Sequence, residues 1–453
     1  MDAIICSAGK GTRLGALGLY RPKSMLRDVH TDKSILWYQL DALRAIGVER
    51  VFVMHNASDS QVPAEIARLH DRFPGMPMQC IPTATANIVQ TIREALEHTP
   101  ADRILRLDGD VCVLSLDGLA PVRDFYGSGL CCCEPRQCDR ESQHTVYFDG
   151  SGIHYGAENG AAGPVWSCID VWRRQDLELI TQNASNDPGL LFRDLINQCL
   201  RDGLQMDTIM IEQVQEVDTP EDVLLLERAW DQLARQLSEK TLAYWTKQKD
   251  YPSFSVNKRA QLQIDEALVL ERIAPGQHVL EIGAGPGNMV AFLLEKSGAA
   301  SCQVVEPNPF WCRAIAERFS GNGRVRVFEG SLSAWNSSPE GADGDVDVAL
   351  AFGWAPYIVH DDVLHRNLAA LRARKLLLKA AEPPQDRFSR LLVNHFSQDL
   401  GAHYIALYRG MSEMASLLRY SGWCIREMRR NIYPESIDSR YGNRNYLLVA
   451  ERP

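Results

Sequence analysis

Two stretches of this chain carry residues whose types and spacing could do chemistry. The first is Ser7-Ala8-Gly9-Lys10-Gly11-Thr12-Arg13-Leu14, which follows the apolar run Ala3–Cys6. Glycines let a backbone approach a ligand closely, and successive free N–H groups in such a turn form an anion-binding nest. Arg13 and Lys23 add positive charge where a triphosphate would sit. The loop lacks the spacing of a P-loop, whose Gly-Lys pair follows an earlier glycine and precedes Ser or Thr directly. Two acidic turns suit the same ligand. Asp108-Gly109-Asp110 follows Ile104–Leu107, and Asp218 follows Val214–Val217. Carboxylates at the C-terminal edge of a strand lie where open α/β sheets bind ligands, and a triphosphate brings Mg²⁺, which takes one or two carboxylates plus phosphate oxygens. The second stretch is Val279-Leu280-Glu281-Ile282-Gly283-Ala284-Gly285-Pro286-Gly287-Asn288, a strand pattern followed by three spaced glycines. The next strand pattern, Gln303–Val305, ends at Glu306, an acid placed to bind ribose hydroxyls.

The first set resembles the nucleotidyltransferases that make sugar-nucleotides and CDP-alcohols, in which a strand leads into an AGxGTRL loop and then a PK pair. Ala8, Gly9, Gly11, Thr12, Arg13, Leu14, Pro22 and Lys23 carry the likeness, and Ser7 stands where the family usually has a second alanine. The resemblance implies that Ala8, Gly9, Gly11 and Thr12 bind the nucleotide and that Arg13 and Lys23 stabilise its phosphates during transfer. It places Mg²⁺ on Asp110 in preference to Asp108, with Asp218 of the run Val217-Asp218-Thr219-Pro220-Glu221-Asp222 as second ligand. Asn87 and Thr91 fall where the family contacts the base or acceptor, although Asn87 reads equally well as a helix N-cap. Trp166 and Asp170 fall in a β-rich insertion that builds the acceptor pocket. The compact first half looks closest to the enzymes making CDP-choline or CDP-activated phosphonates, so CTP is the expected nucleotide.

The second set resembles the first motif of class I S-adenosylmethionine-dependent methyltransferases. That implies Glu281 on the cofactor's amino group, Gly283, Gly285 and Gly287 against its methionine and ribose, Glu306 on the ribose hydroxyls and Ser331 near the adenine, where an acid is more usual. A dinucleotide-binding turn is the rival, since glycine spacing alone does not separate the two. The acid inside the strand and the sequence Glu306-Pro307-Asn308-Pro309 favour the methyltransferase form. The loop Gly353-Trp354-Ala355-Pro356-Tyr357 borders the transferred methyl in that fold, where its aromatic rings either cage a cation or simply pack.

Positioning these groups calls for an α/β chain of two doubly wound Rossmann-like domains. Alternating strand and helix patterns run from the first loop through Val51–Met54, Met78–Ile81 and Ile104–Leu107, which predicts a parallel sheet. Short strands at Gly129–Cys133, Thr145–Phe148 and Gly152–Tyr155, the last two joined by a turn at Asp149-Gly150, form the insertion. Thr219 and Pro220 read as N-cap and first residue of a long helix. Tyr251-Pro252-Ser253 breaks that pattern, giving domains over 1–235 and 255–453 with a helical linker over 236–254.

The length of 453 residues fits two domains. A net charge of −10 speaks against a nucleic-acid or anionic-membrane partner. No apolar run approaches the ~18 residues that would cross a bilayer, and Met1-Asp2 leads straight into the first strand pattern without a signal sequence. The 12 cysteines show no C-x-x-C spacing and read as reduced thiols in a cytoplasmic setting. His360 and His365 stand alone and read as structural. The expectation is a bifunctional enzyme acting on small molecules. One half would transfer a nucleotidyl group from an NTP to a phosphate or phosphonate acceptor with Mg²⁺. The other would methylate a nitrogen or oxygen using S-adenosylmethionine. The alternative is a hexose-1-phosphate nucleotidyltransferase whose second half serves as a cofactor-binding or regulatory module.

Overall fold

The computed structural model describes residues 1–9, 11–115, 117–134, 146–148, 152–155, 164–182, 187, 189–248, 256–343, 346–384, 390–397, 402–434 and 444–453. The chain divides into two compact units, one of residues 1–29 and 33–230 and one of residues 30–32 and 231–453. Each is an α/β unit built on its own sheet.

In the first unit the strands are β1 (Asp2–Ser7), β2 (Arg50–Asn56), β3 (Met78–Thr83), β4 (Arg103–Asp108), β5 (Val111–Val113), β6 (Gly129–Cys133), β7 (Val146–Phe148), β8 (Ile153–Tyr155), β9 (Val165–Arg173), β10 (Asp207–Met210) and β11 (Val214–Glu216). The helices that cover them are α1 (Ala16–Tyr20), α2 (Ile35–Ala45), α3 (Gln61–Leu69), α4 (Ile88–Leu96), α5 (Arg174–Gln182) and α6 (Phe192–Arg201), and α7 (Pro220–Lys247) begins here. The sheet order is β10-β6-β9-β4-β1-β2-β3, with β4, β1, β2 and β3 parallel and β9 antiparallel to both its neighbours. All six residues of β1 are buried, as expected of a central strand covered on both faces. Buried Asp2 is accommodated by Arg50 Nε at 3.1 Å and the Thr99 hydroxyl.

Two local features bring the acidic turns together. The N–H of Gly109 donates to the Cys6 carbonyl at 2.9 Å, tying the turn after β4 to the end of β1. Off the main sheet, β5 and β11 pair antiparallel, and the Val217 N–H donates to the Asp110 carbonyl at 3.0 Å. Asp110 and Asp218 thus meet through a two-stranded ladder that the sequence pattern did not single out. The predicted turn at Asp149-Gly150 lies outside the described residues.

The second unit contains β12 (His278–Ile282), β13 (Ser301–Glu306), β14 (Val325–Glu329), β15 (Val348–Phe352), β16 (Lys375–Glu382), β17 (Arg390–Ser397), β18 (Ala402–Arg409), β19 (Cys424–Arg430) and β20 (Arg444–Glu451). Its helices are α8 (Val256–Leu270), α9 (Asn288–Glu295), α10 (Pro309–Arg318), α11 (Leu332–Asn336), α12 (Pro339–Asp343), α13 (Asp361–Ala370) and α14 (Met411–Tyr420). The sheet order is β14-β13-β12-β15-β16-β20-β19; the first five are parallel and β20 runs against both neighbours. Leu280 and Ile282 enter the core on one face while Val279 enters the core on the other, the two-residue alternation of a strand. β17 and β18 form a separate hairpin. No helix among the described residues is long and apolar enough to cross a membrane.

Gly109 is required by this packing: a Cβ there would lie 2.8 Å from Ser7 Cα and 2.9 Å from Ser7 Cβ, with β1 unable to yield. Gly109→Ala should therefore cost about 1–3 kcal/mol. Urea unfolding measures it, and a midpoint equal to that of the wild type would mean the two strand ends can part freely.

Candidate functional sites

Lys23 opens a short 3₁₀ turn (Lys23–Met25) directly after Pro22, whose φ of −55° fixes the approach. The turn is pinned to β1 by a 2.6 Å hydrogen bond between the hydroxyls of Ser24 and Ser7. From there the Lys23 ammonium donates to Asp110 Oδ2 at 2.8 Å and to Asp218 Oδ1 at 2.7 Å. Arg13 Nη1 donates to the other oxygen of Asp218 at 2.7 Å. Asp218 itself is held by Asp222, whose Oδ2 accepts the N–H groups of Asp218 and Thr219 at 2.9 and 2.8 Å. Burial alone would lower the Lys23 pKa, but the two carboxylates outweigh it and the net shift is upward.

These contacts differ in weight. The Lys23, Asp110 and Asp218 side chains are 12%, 19% and 7% exposed, whereas Arg13 is 60% exposed. Breaking a buried ion pair costs about 3–5 kcal/mol, against about 0.2–1 kcal/mol for an exposed one. Lys23 is therefore the anchor of the cluster and Arg13 its solvent-facing edge.

Asp108 faces another way. Fully buried Arg106 donates to Asp108 and, through Nε, to Asp170 Oδ1 at 2.8 Å. Burial pushes the Asp108 carboxyl up to about 6, with Arg106 opposing and Asp110 and Asp170 adding to the rise. Asp170 is fully buried on this arginine. Trp166, by contrast, lines a cleft of about 20 Å³ with Ser167, Gln215 and Glu216. Arg106 was missed from the sequence, where its one signal is a cation inside the apolar run Ile104–Leu107.

Gly11 has φ 61° and caps the turn Thr12–Leu14, where the Leu14 N–H donates to its carbonyl at 3.0 Å. Ala8 is half-buried and Gly9 and Thr12 are exposed, while Lys10 lies outside the described residues. Asn87 caps α4: its Oδ1 accepts the Gln90 N–H at 3.0 Å and its Nδ2 donates to the Asp187 carbonyl at 2.8 Å. Thr91 is buried and bonded to the Thr85 hydroxyl.

In the second unit the glycine loop lies between β12 and α9. Gly283, Gly285 and Gly287 all have positive φ (72°, 52° and 74°), and a Cβ on Gly287 would meet Ile315 Cγ1 at 2.8 Å. Glu306 reaches this loop from the end of β13. Its Oε2 accepts the Gly285 N–H at 2.8 Å and its Oε1 the Asn308 N–H at 3.0 Å. Asn308 Nδ2 in turn donates to the Trp245 carbonyl at 2.8 Å. Burial raises the Glu306 pKa, tempered by those two N–H groups.

Glu281 is 8% exposed, and its Oε2 is buried without a hydrogen-bond partner. It lines a cavity of about 150 Å³ with Gly283, Asn288, Phe352, Arg259 and Lys379. Burial, with Glu306 second, pushes the Glu281 carboxyl up to about 8. An unpartnered carboxyl oxygen in a polar cavity beside a glycine cradle leaves hydrogen-bonding capacity for a bound group.

Ser331 caps α11, its hydroxyl accepting the Ala334 N–H at 3.2 Å. Tyr357 packs on Trp245 and Tyr404 at centroid distances of 4.9 and 6.0 Å, so this ring is occupied by packing rather than open to a cation. His360 is not isolated: its Nδ1 accepts the Asp362 N–H at 3.2 Å, so its Nε2 carries the proton that Asp231 accepts at 2.6 Å. His30, also of this unit, brings a third donor near Asp231, but that tautomer makes the group a hydrogen-bonded helix start rather than a set of open metal ligands.

Residues 3–179 match the family model of the MobA-like NTP transferase domain. The N-terminal half carries a MobA-like NTP transferase domain. The chain is similar in structure to the inositol-1-phosphate CTP transferase from T. maritima, at 15% identity and a TM-score of 0.43 over 51% of this chain and 95% of that one. It is also similar to the CTP:phosphocholine cytidylyltransferase from Streptococcus pneumoniae, at 19% identity and a TM-score of 0.39 over 50% and 97%. Over 140 residues the chain is 29% identical to ribosomal RNA small subunit methyltransferase A of Synechococcus sp. (strain RCC307). That match covers 30% of this chain and 47% of the relative, so the chain spans about half the length of the curated protein it matches.

The state of Glu281 sets a pH dependence. Its folded pKa of about 8 lies above the ordinary 4.5, so its burial is tolerated fully only below the lower value. Stability should fall as pH rises between the two, because the unfolded chain releases this proton first. Glu281→Gln should flatten the decline, raising the melting temperature at high pH relative to low. Parallel wild-type and variant curves of melting temperature against pH would contradict the assignment.

Proposed function

We propose that the first unit transfers a nucleotidyl group from an NTP, with CTP the expected donor, to the phosphate or phosphonate oxygen of a small acceptor. The observation that supports it is that Asp110 and Asp218, from distant parts of the chain, share one cation beside a glycine-rich loop. Two carboxylates that converge on one ammonium can converge on Mg²⁺, with phosphate oxygens completing the shell. When bound there, Mg²⁺ supplies charge neutralisation and orientation to the triphosphate. The acceptor oxygen forms a bond to the α-phosphorus, the bond from that phosphorus to the bridging oxygen breaks, and pyrophosphate leaves with the electron pair. The acceptor is already an oxyanion and needs no base. The chain's own contribution is to place Lys23 and Arg13 where charge grows, with the loop N–H groups of Gly9 and Gly11 on the phosphates.

We propose that the second unit binds S-adenosylmethionine. Glu281 would take the ammonium of its methionine part and Glu306 the ribose hydroxyls, using the carboxylate lone pairs that Gly285 and Asn308 leave over. The dinucleotide alternative fits less well, because that fold orders its strands 3-2-1-4-5-6. Here the reversed strand β20 lies between β16 and β19. The methyl carbon would pass from sulfonium sulfur to a nitrogen or oxygen of a small molecule, the sulfur keeping the electron pair of the broken bond. The net charge of −10 supports a small acceptor over RNA. The free cysteines among the described residues support a reducing, cytoplasmic setting.

Asp110→Asn and Asp218→Asn should each lower pyrophosphate release by roughly two orders of magnitude or more at saturating Mg²⁺, with S-adenosylmethionine affinity unchanged. Near-wild-type turnover in either variant removes that residue from the metal site. Glu306→Ala should weaken S-adenosylmethionine binding by about 2–4 kcal/mol, roughly thirtyfold or more. Calorimetry decides it, and binding of NADH in place of S-adenosylmethionine would overturn the methyltransferase reading.

A further inference from the structure

We propose that Lys23 competes with the divalent cation for the same carboxylate oxygens, so that the metal enters the site with the nucleotide rather than ahead of it. The proposal rests on the metal reading of Asp110 and Asp218 given above.

Three of the four carboxylate oxygens of this pair accept a cationic donor. Asp110 Oδ2 and Asp218 Oδ1 accept from Lys23 at 2.8 and 2.7 Å, and Asp218 Oδ2 accepts from Arg13 at 2.7 Å. A magnesium ion held by both acids would draw on the carboxylate oxygens that now accept from Lys23. The ammonium that those oxygens now hold would then lie beside a doubly charged ion. Like charges that close repel strongly at the dielectric of a half-buried site, and the ion's second charge doubles the repulsion. The two cations therefore exclude each other from the position between Asp110 and Asp218.

Lys23 is built to leave. Its ammonium is a point charge on a flexible four-carbon stem, while its backbone is fixed by Pro22 and by the Ser24 to Ser7 hydrogen bond. Moving it without a new partner would strand a largely buried cation, since the side chain is 12% exposed. A triphosphate removes that cost, because its oxygens can accept from the ammonium while the metal takes the carboxylates. The exchange conserves pairing: each acid trades an ammonium for a metal ion, and Lys23 trades two carboxylates for phosphate. Free metal alone offers Lys23 nothing, so its affinity for the nucleotide-free protein should be low.

Mn²⁺ binding to the full-length, nucleotide-free protein, followed by electron paramagnetic resonance, tests this without any turnover. Lys23→Met should bind Mn²⁺ at least tenfold more tightly than wild type, and adding Asp110→Asn to that variant should abolish the gain. Lys23→Gln, which keeps hydrogen-bond donors but not the charge, should shift affinity in the same direction and serves if the methionine variant does not fold. Equal Mn²⁺ affinity in wild type and the folded Lys23 variant would overturn the proposal, as would a gain that survives Asp110→Asn. Pyrophosphate release by the wild type that persists in excess chelator would instead sink the metal reading on which the proposal stands.

Discussion

The ammonium of Lys23 between Asp110 and Asp218 is the constraint on which the first unit's site depends. Two half-buried carboxylates facing each other would repel strongly, and the fold brings them together only because a cation lies between them. The surrounding structure serves that placement. The Gly109 N–H on Cys6 fixes one acid at the end of the central strands, the ladder of β5 and β11 delivers the other, and Asp222 orients its backbone. A site arranged this way is neutralised before any ligand arrives. It can therefore hold its acids out of bulk water without paying the full desolvation penalty of an unpaired charge.

The second unit shows the opposite solution. Glu306 is stabilised by two backbone N–H groups, one of them from the glycine loop it faces, and so is pre-oriented without a counter-ion. Glu281 has no such support on Oε2 and is pushed toward its neutral form. The two acids at neighbouring strand ends thus differ in support: one is satisfied by backbone donors, the other keeps an oxygen without a partner. Lys379, which lines the same cavity, is occupied by Asp265 and the Tyr433 hydroxyl and leaves Glu281 as the unmet demand.

Much of this arrangement was legible in the sequence. Loops rich in glycine after apolar runs marked both candidate sites, because close backbone approach and positive φ leave few alternatives to glycine. Acids at strand ends were legible because a buried strand tolerates a charge only where it runs out toward the ligand edge. The preference for Asp110 over Asp108 came from family likeness; in the structure Asp108 is engaged by Arg106 and Asp110 by Lys23. What escaped were features whose cause is tertiary. Arg106 sits in an apolar run because Asp170, distant in the chain, neutralises it. The three-residue strand β5 is too short to show periodicity, and its pairing with β11 joins distant parts of the chain. The hairpin β17–β18 pairs off the main sheet. Asn87 caps α4, the alternative that its position had offered, and Ser331 caps α11, a role the sequence reading did not assign it.

The central claim is that Asp110 and Asp218 form a cation site that passes from Lys23 to metal when nucleotide binds. A crystal structure with Mn²⁺ and a non-hydrolysable cytidine triphosphate analogue, phased to show manganese by its anomalous scattering, tests it most directly. The account predicts an anomalous peak between the two carboxylates, with the Lys23 ammonium moved onto phosphate oxygens. A peak elsewhere, or Lys23 still bridging Asp110 and Asp218 with the nucleotide in place, would contradict it.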